Sequence, residues 1–569
     1  MKKQISYLFI TLLIFSSCVK KVDLKSTVTK VETGVIADSA MVVCARKEAS
    51  DIGLAIMKKG GNAYDAMIAT GLALVVTYPF AGNIGGGGFM VYRTNKGETG
   101  ALDYREKAPL AATHDMYLDE EGNVIDGKST LGALAVGVPG AIAGFFAVHE
   151  KFGSLPFRDL IQPSIDLAKK GVVVTEKQAK RLNHYKQYFQ EANKQTIFLD
   201  KEWKAGDIIK YPKLAATYER IRDNGRDEFY EGKTADILVD YLTNLGGIIT
   251  KEDLAKYDAK WREAVSFTYK DVKIISMSPP SSGGICIAQI LKSIEPYNIK
   301  QYPHNSTKYI QLITEAERRA FADRAYFLGD IDFIKTPIDT LISDSYIKSR
   351  MKDFSWTRAN TSTEIAHGNI VGLESNETTH YSIVDPFGNA VSVTTTLNGA
   401  YGSKVYVPEG GFFLNNEMDD FSAKPGVPNM FGLVGAEANK IVPEKRMLSS
   451  MTPTIVEQNG KLKMVLGSPG GSTIITSVAQ NILNVIDYDM GMQQSVSMPR
   501  FHHQWLPDNI KIEVTGFSDR TKEELKALGY KIDQSNAPVI GKIDAILVLP
   551  NGKLEGGADP RGDDAAAGF

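Results

Sequence analysis

The sequence predicts an α+β fold that combines antiparallel strands with amphipathic helices. Strand signals are clearest at 376–398, NETTHYSIVDPFGNAVSVTTTLN, where two runs rich in β-branched residues flank a PFGN turn. Helix signals are clearest at 211–225, 234–245 and 307–323, where apolar residues recur at helical spacing. A hydrophobic content of 43% in 569 residues is enough to bury a large core.

Overall charge excludes two classes of protein. The formal net charge is -2, with 65 Lys and Arg against 67 Asp and Glu, so there is neither the basic excess of a nucleic-acid-binding protein nor the acidic excess of a disordered one.

The glycine run GNIGGGGF suggests a dinucleotide loop, but Met90 stands where its last glycine is required and a strand follows instead of a helix. A nucleotide-binding loop is therefore not predicted here.

The first 18 residues, MKKQISYLFITLLIFSSC, have the features of an export signal. The apolar run from Ile5 to Phe15 is far shorter than the roughly 20 residues of a membrane-spanning helix. Residues 1–17 are predicted to be a signal peptide, with Cys18 lipidated and 18–33 a polar tether. Plain secretion is the alternative. We expect an exported protein, in the periplasm or at the outer membrane.

The other cysteines and the paired histidines are predicted to be structural. Cys44 and Cys286 lie among apolar neighbours, which favours buried free thiols over a disulfide. His502 and His503 would face opposite sides of a strand, so they are poor joint metal ligands.

The predicted hairpin begins at a threonine that can act as an N-terminal nucleophile. Pairing Asp385 with Ala390 brings residues 396–398 alongside Thr378. Cleavage between Glu377 and Thr378 would free an α-amine with a pKa of about 7.7 to 8.0, so roughly a tenth is unprotonated at neutral pH and can take the hydroxyl proton. The preceding loop, 353–377, loses periodicity and is suited to cleavage. Alone, however, this stretch favours an ordinary Thr-rich strand.

A second chemical motif is KMVLGSPGGSTIIT, which reads as strand, glycine loop and helix. Ser472 is predicted to cap the helix, and the amides of Gly470 and Gly471 then point toward whatever lies before its N-terminus. A phosphate site would require a G-K-[ST] sequence, which is absent. An oxyanion hole fits better.

Several motifs stand in an order that resembles one family. T-T-H-Y-S, LNNEMDDFSAKPGVPN, RMLSSMTPTIV and GSPGGSTIIT are similar to segments of gamma-glutamyltransferases, and the resemblance runs from about residue 34 to Phe569. It implies a four-layer αββα N-terminal-nucleophile hydrolase sandwich. It also implies one precursor, cut into a large subunit, 34–377, and a small subunit, 378–569, which together form one domain. No metal or organic cofactor is implied.

The resemblance also assigns roles to individual residues. Arg105 lies in LDYREKAP, which by itself predicts a strand with its charges outward, yet the family uses this arginine with a serine pair to hold a glutamyl α-carboxylate. The implied carboxylate ligands are Arg105, Ser449 and Ser450, the ammonium ligands are Glu417 and Asp420, and the groups that orient the nucleophile Thr378 are Thr396 and Asn398. In several bacterial members a lid carries an aromatic hydroxyl, whereas Phe431 stands here.

The implied reaction is γ-glutamyl transfer. After self-cleavage, Thr378 would attack the γ-carbonyl of glutathione or a related compound, and water or the amine of an amino acid or peptide would take the glutamyl group. One rival is a cephalosporin or glutaryl acylase of the same superfamily. The other is a non-catalytic surface-binding lipoprotein.

For the tail, residues 518–569, the sequence predicts one helix and two strands.

Overall fold

The structure, a computed structural model, describes residues 32–365, 378–424, 426–535 and 538–569. The predicted signal peptide, Cys18, most of the tether and the cleavage residue Glu377 lie outside these ranges. Within them, no helix is both long and apolar enough to cross a bilayer.

The strands are mostly short and alternate with loops and helices along the chain. In chain order they are β1 Val35–Ala37, β2 Met41–Cys44, β3 Gly87–Arg93, β4 Thr99–Asp103, β5 Val172–Val173, β6 Ile208–Ile209, β7 Lys260–Arg262, β8 Val265–Tyr269, β9 Val272–Ser276, β10 Thr379–Val384, β11 Ala390–Thr396, β12 Tyr406–Val407, β13 Phe412–Phe413, β14 Thr454–Gln458, β15 Lys461–Gly467, β16 Phe501–His502, β17 Ile510–Ile512, β18 Ile532–Asp533, β19 Asp544–Val548, β20 Leu554–Ala558 and β21 Ala565–Gly568.

The helices include the three segments with the clearest sequence signal, which are α6, α8 and α11. In chain order they are α1 Lys47–Lys58, α2 Ala63–Thr77, α3 Ala141–Phe152, α4 Phe157–Lys170, α5 Glu176–Ala192, α6 Pro212–Asn224, α7 Asp227–Tyr230, α8 Lys233–Asn244, α9 Lys251–Ala255, α10 Gly283–Ile294, α11 Thr307–Phe327, α12 Ile338–Leu341, α13 Asp344–Arg350, α14 Thr473–Ile486, α15 Met492–Ser497 and α16 Asp519–Ala527.

Two antiparallel seven-stranded sheets form the centre of the fold. One has the strand order β1-β20-β19-β15-β14-β9-β8, and the other has the order β21-β2-β10-β11-β3-β4-β7. The sheets pack face to face, with β10 and β11 against β15. Helices α1 and α2 cover the outer face of the second sheet, and α10 and α14 cover that of the first. This is the predicted four-layer αββα sandwich.

The alternation of side chains along β2 shows how one strand serves two cores. Val42 and Cys44 belong to the apolar core beneath α1 and α2, whereas Met41 and Val43 belong to the core shared with the other sheet. Because successive side chains point to opposite faces, a strand buried on both sides is apolar at every position. Cys44 and Cys286 are both buried and not bonded to each other.

The hairpin of β10 and β11 has a register one residue away from the predicted one. Val384, and not Asp385, pairs with Ala390, and Thr379 pairs with Thr395. Asp385 instead closes the turn, where its carboxylate accepts hydrogen bonds from the amides of Phe387 and Asn389. An Asx-type turn of this kind draws the aspartate out of the ladder.

The prediction for the tail was incomplete. Besides α16, β19 and β20, the described part of the tail contains the short β18 and a final strand, β21, which pairs with the edge of β2. Its residues, AAAG, have little intrinsic strand preference. The edge of β2 therefore provides the hydrogen-bonding partner that the local sequence does not reveal.

Candidate active site

Thr378 lies directly before β10, at the end of a central strand of the second sheet. The register places it beside Thr396, the last residue of β11. Only 4% of Thr378 is exposed. Both threonines line one narrow cavity, with about 260 Å³ of empty space that includes open solvent, between the two sheets and the loops that follow them.

This cavity, here called the Thr378 cavity, brings together eight of the residues predicted for the site. Its lining consists of Arg105, Thr378, Thr396, Asn398, Asp420, Phe431, Leu433, Ser449, Ser450, Met451, Gly471 and Ile474. Two predicted site residues lie just beyond it. Glu417 contacts Arg105, and Gly470 lines a neighbouring cavity that also reaches Thr378.

Arg105 follows β4 and points inward, so the prediction of outward charges on this segment is wrong. Its side chain is 1% exposed, with Nη1 2.6 Å from Glu417 Oε2 and Nη2 2.5 Å from Asp420 Oδ2. The backbone holds the residue from both ends: its amide donates to Asp103, and its carbonyl accepts from Tyr257 Oη at 2.7 Å. The guanidinium is buried because carboxylates from a distant segment neutralise it.

Three buried carboxyl groups surround this single guanidinium. Burial raises the pKa of Glu106 to about 8 and raises the pKa values of Glu417 and Asp420 as well, although Arg105 opposes all three shifts. Glu106 Oε2 is 3.7 Å from Arg105 Nη1. A ligand that brings a positive charge would favour the ionised forms of these carboxyl groups.

Asn398 is held in a backbone conformation that few residues adopt. Its φ is +72°, in the left-handed region that asparagine tolerates better than most side chains. Its amide donates to Thr396 Oγ1 at 2.7 Å, and its side-chain Nδ2 donates to the carbonyl of Asn416 at 3.1 Å. The turn after β11 thus fixes Asn398 in the cavity that Thr378 also lines.

Ser449 and Ser450 are supported by the segment 279–284, PPSSGG, which leads into α10. Ser449 donates its amide to the carbonyl of Pro280, and its own carbonyl accepts from both the amide and the hydroxyl of Ser282. The PPSSGG segment therefore fixes the position of the serine pair.

Arg324, on α11, is a site residue that sequence reasoning missed. It is 4% exposed, and its guanidinium donates to Ser282 Oγ at 2.9 Å and to Ser450 Oγ at 3.2 Å. Burial lowers its pKa, while nearby Asp420 acts in the opposite direction and Arg105 adds to the lowering. Residues 309–325 of α11 are all buried although several of them are charged, so the sequence alone gave no signal that Arg324 lies inside the protein.

Gly470 and Gly471 form a tight turn into α14. Their φ values are +134° and +53°, and their carbonyls accept hydrogen bonds from the amides of Thr473 and Ile474. The predicted cap by Ser472 is wrong, because this residue has helical backbone angles and its hydroxyl donates to Gln504 Oε1 at 2.7 Å. Each glycine nevertheless lines a cavity that Thr378 also lines.

Phe431 forms one wall of the Thr378 cavity. Its amide donates to Asn429 Oδ1 at 3.0 Å, and its carbonyl accepts from Gln504 Nε2 at 3.1 Å. Asn429 Nδ2 in turn donates to Asp420 Oδ1 at 3.1 Å. This segment is therefore tied to the carboxylate that is predicted to bind the ammonium group.

The buried histidines are engaged in structural contacts. His380 shares hydrogen bonds with Thr394 and Ser382, His502 with Thr476 and Gln504, and His503 with Asp508. In the described ranges, no group of three or more His, Cys, Asp or Glu side chains is arranged to hold a metal ion.

Known proteins share both the sequence and the fold. The family model of gamma-glutamyltranspeptidase matches residues 49–569. The chain is 46% identical over 540 residues to a glutathione hydrolase proenzyme of Escherichia coli strain K12, covering 94% of this chain and 93% of that protein.

Two solved structures share the fold of this chain. A cephalosporin acylase from Bacillus halodurans superposes with a TM-score of 0.82 at 25% identity, over 100% of this chain and 99% of that one. A gamma-glutamyltranspeptidase of Helicobacter pylori superposes with a TM-score of 0.55 at 40% identity, over 59% of this chain and 96% of that one. The chain belongs to the gamma-glutamyltranspeptidase family, within the N-terminal-nucleophile hydrolases.

Proposed function

We propose that this protein is a γ-glutamyltransferase and glutathione hydrolase whose nucleophile is Thr378. The observation that carries the proposal is a single cavity in which Thr378 faces both Arg105 and Asp420. A guanidinium and a carboxylate recognise the two charges of an amino acid, so the cavity selects an acyl group that ends in an α-amino acid.

The precursor would activate itself by an acyl shift. Thr378 Oγ1 attacks the carbonyl carbon of Glu377, the peptide C–N bond breaks, and an ester forms. Water then hydrolyses the ester, leaving a carboxylate on Glu377, a free hydroxyl and an α-amine on Thr378. The expected products are a large subunit, 34–377, and a small subunit, 378–569.

Turnover would use that amine as the base. It takes the hydroxyl proton as Oγ1 attacks the γ-carbonyl of glutathione, and it returns the proton to the leaving amine as the C–N bond breaks. Water or an acceptor amine then attacks the ester and gives up a proton through the same α-amine, and Oγ1 recovers its hydrogen. The amides of Gly470 and Gly471 would stabilise the oxyanion, each contributing about 3 to 4 kcal/mol.

The two rivals explain less of the site. A cephalosporin or glutaryl acylase has the same type of nucleophile, but a glutaryl group carries no α-ammonium, for which Glu417 and Asp420 can provide ligands beside Arg105. A non-catalytic lipoprotein would not require Thr378 beside the Gly470–Gly471 turn. Similarity to a named glutathione hydrolase also favours the enzyme.

The test is to identify the first residue of the mature small subunit by mass spectrometry. We expect Thr378, together with release of glutamate from glutathione. Thr378→Ala should remain a single polypeptide without activity. Thr379→Val, which removes the buried neighbouring hydroxyl, is the matched control and should be cleaved normally. A mature chain that begins at Thr379 or later would rule out Thr378 as the nucleophile.

We also propose that the protein is exported and anchored through a lipid on Cys18. The support is the sequence of residues 1–18 alone: two lysines, a short apolar run and small residues before the cysteine. Cys18→Ser should abolish incorporation of a labelled fatty acid and release the enzyme from the membrane fraction. Unchanged fractionation would instead indicate plain secretion.

A further inference from the structure

Arg324, in the last turn of α11, has a guanidinium group that is buried against hydroxyl groups. Its Nε donates to Ser282 Oγ at 2.9 Å, and its Nη2 donates to Ser450 Oγ at 3.2 Å. Asp420 influences its pKa, but among the described residues no carboxylate forms an ion pair with it. A charge of this kind is costly to bury, so an anion bound nearby would stabilise it.

The contact with Arg324 determines how the hydroxyl of Ser450 can act. A hydroxyl has one proton to donate and two lone pairs that accept, whereas a guanidinium can only donate. Ser450 Oγ therefore accepts from Arg324, and its own proton has no acceptor among the described residues. Ser450 lines the Thr378 cavity, so this proton is available to a ligand there.

The second contact of Arg324 extends to Ser449. Ser282 Oγ accepts from Arg324 and donates its own proton to the Ser449 carbonyl at 2.7 Å. Ser449 Oγ accepts from the amide of Met451 at 3.1 Å, and its proton likewise has no acceptor among the described residues. Both serines therefore line the cavity as hydrogen-bond donors, which suits a carboxylate, because a carboxylate only accepts.

We propose that Arg324 is a positioning residue that makes the serine pair selective for the α-carboxylate of the glutamyl group. This inference rests on the proposed γ-glutamyl transfer. Arg105 already neutralises Glu417 and Asp420, so only part of its charge is left for the substrate. Arg324 adds a second positive charge behind the serines and leaves the proton of Ser450 for the substrate carboxylate.

The test is a double-mutant cycle between Arg324 and Ser450. Processed wild-type enzyme, Arg324→Gln, Ser450→Ala and the double variant would be compared by kcat/KM for L-γ-glutamyl-4-nitroanilide. Arg324→Gln alone should lower kcat/KM about twentyfold or more, mainly through a higher KM, but by about fivefold or less when Ser450 is already alanine. Equal factors in the two backgrounds would show that Arg324 does not act through Ser450 and would overturn the proposal.

Two further variants separate positioning from folding. Arg324→Lys keeps the buried charge and one donor, so its kcat/KM should lie within about fivefold of wild type. If Arg324→Gln yields no processed enzyme, the cycle is run with this lysine variant, whose smaller loss should vanish in the Ser450→Ala background; a loss that persists there would overturn the proposal.

The matched control is Arg319→Gln, which removes another buried arginine of α11, one that pairs with Glu315 at 2.6 Å. It should lower the melting temperature and leave KM within about twofold of wild type. An increase in KM as large as that of Arg324→Gln would mean that any buried arginine of this helix has the same effect. Failure of wild-type enzyme to release 4-nitroaniline would instead overturn the proposed γ-glutamyl chemistry.

Discussion

At the scale of single residues, Arg105 is proposed to determine which acyl groups the site accepts. It neutralises Glu417 and Asp420 through separate nitrogens of one planar group. A substrate α-carboxylate must find the remaining donor capacity of that group, with Ser449 and Ser450 beside it. Because the guanidinium presents five donors in one plane, it can serve protein carboxylates and a substrate at the same time.

Arg105→Lys is the substitution that tests this arrangement. A single ammonium group cannot contact two carboxylates at separate positions and also hold a substrate carboxylate. We expect kcat/KM for γ-glutamyl-4-nitroanilide to fall by about a hundredfold or more, corresponding to about 3 kcal/mol for a buried charged hydrogen bond. Steady-state kinetics of the processed enzyme provide the measurement.

The control for this variant is Arg93→Lys. Arg93 is also a buried arginine, with Nε 2.6 Å from Glu457 Oε1, but it lies at the far end of β3. It should lower the melting temperature while leaving kcat/KM near the wild-type value. Equal losses of activity in the two variants would mean that Arg105 acts through stability alone.

At the scale of elements, the turn between β15 and α14 places two left-handed glycines beside the nucleophile. A Cβ atom on Gly471 would lie 2.6 Å from Phe431 Cδ1, in a backbone conformation that L-residues rarely adopt. Both effects would move the amide that is expected to stabilise the oxyanion.

Gly471→Ala should therefore lower kcat more than it raises KM. Displacing one oxyanion donor reduces kcat by roughly 10² to 10³. The same displacement should slow self-cleavage, which passes through a similar oxyanion, and gel electrophoresis would show the uncut precursor. Gly460→Ala is the control, because Gly460 has φ +73° with open space around it. Normal turnover in Gly471→Ala would contradict the assigned oxyanion hole.

Elements with a regular local pattern were predictable from the sequence. The β-branched runs of β10 and β11 and the helical spacing of α6, α8 and α11 specify their conformations locally. The predicted register of β10 and β11 was wrong by one residue because the Asp385 side chain closes the turn. Residue composition does not specify which of several turn geometries forms. Strand β21 was missed because its pairing with β2 determines its conformation.

The charged centre of the site was less accessible to sequence reasoning. Arg105, Glu417 and Arg324 belong to separate segments, and each one alone resembles a solvated surface charge. These charged groups can be buried only because folding brings opposite charges into contact. Resemblance to a family supplied Arg105 and Glu417, whereas no motif pointed to Arg324.

At the scale of the whole molecule, the buried carboxyl groups link folding to pH. Glu106 is fully buried, and neither of its oxygens has a hydrogen-bond partner within the described structure. Its folded pKa of about 8 lies above the ordinary value of 4.5, with burial as the largest cause. Between these two values the folded protein binds a proton that the unfolded chain releases, so the contribution to stability is complete below pH 4.5 and is lost as the pH rises through 8.

Glu106→Gln should remove this dependence on pH. The glutamine has a similar shape but no titrating group, so its melting temperature relative to wild type should rise steadily as the pH is raised from 4.5 to 8. Glu417 and Asp420 shift in the same direction and are retained in the variant, so part of the wild-type slope should remain. Thermal unfolding of processed enzyme across this range is the measurement, with Glu437→Gln at an exposed position as control. A difference in melting temperature that is constant or that falls with pH would show that Glu106 is already ionised in the folded protein.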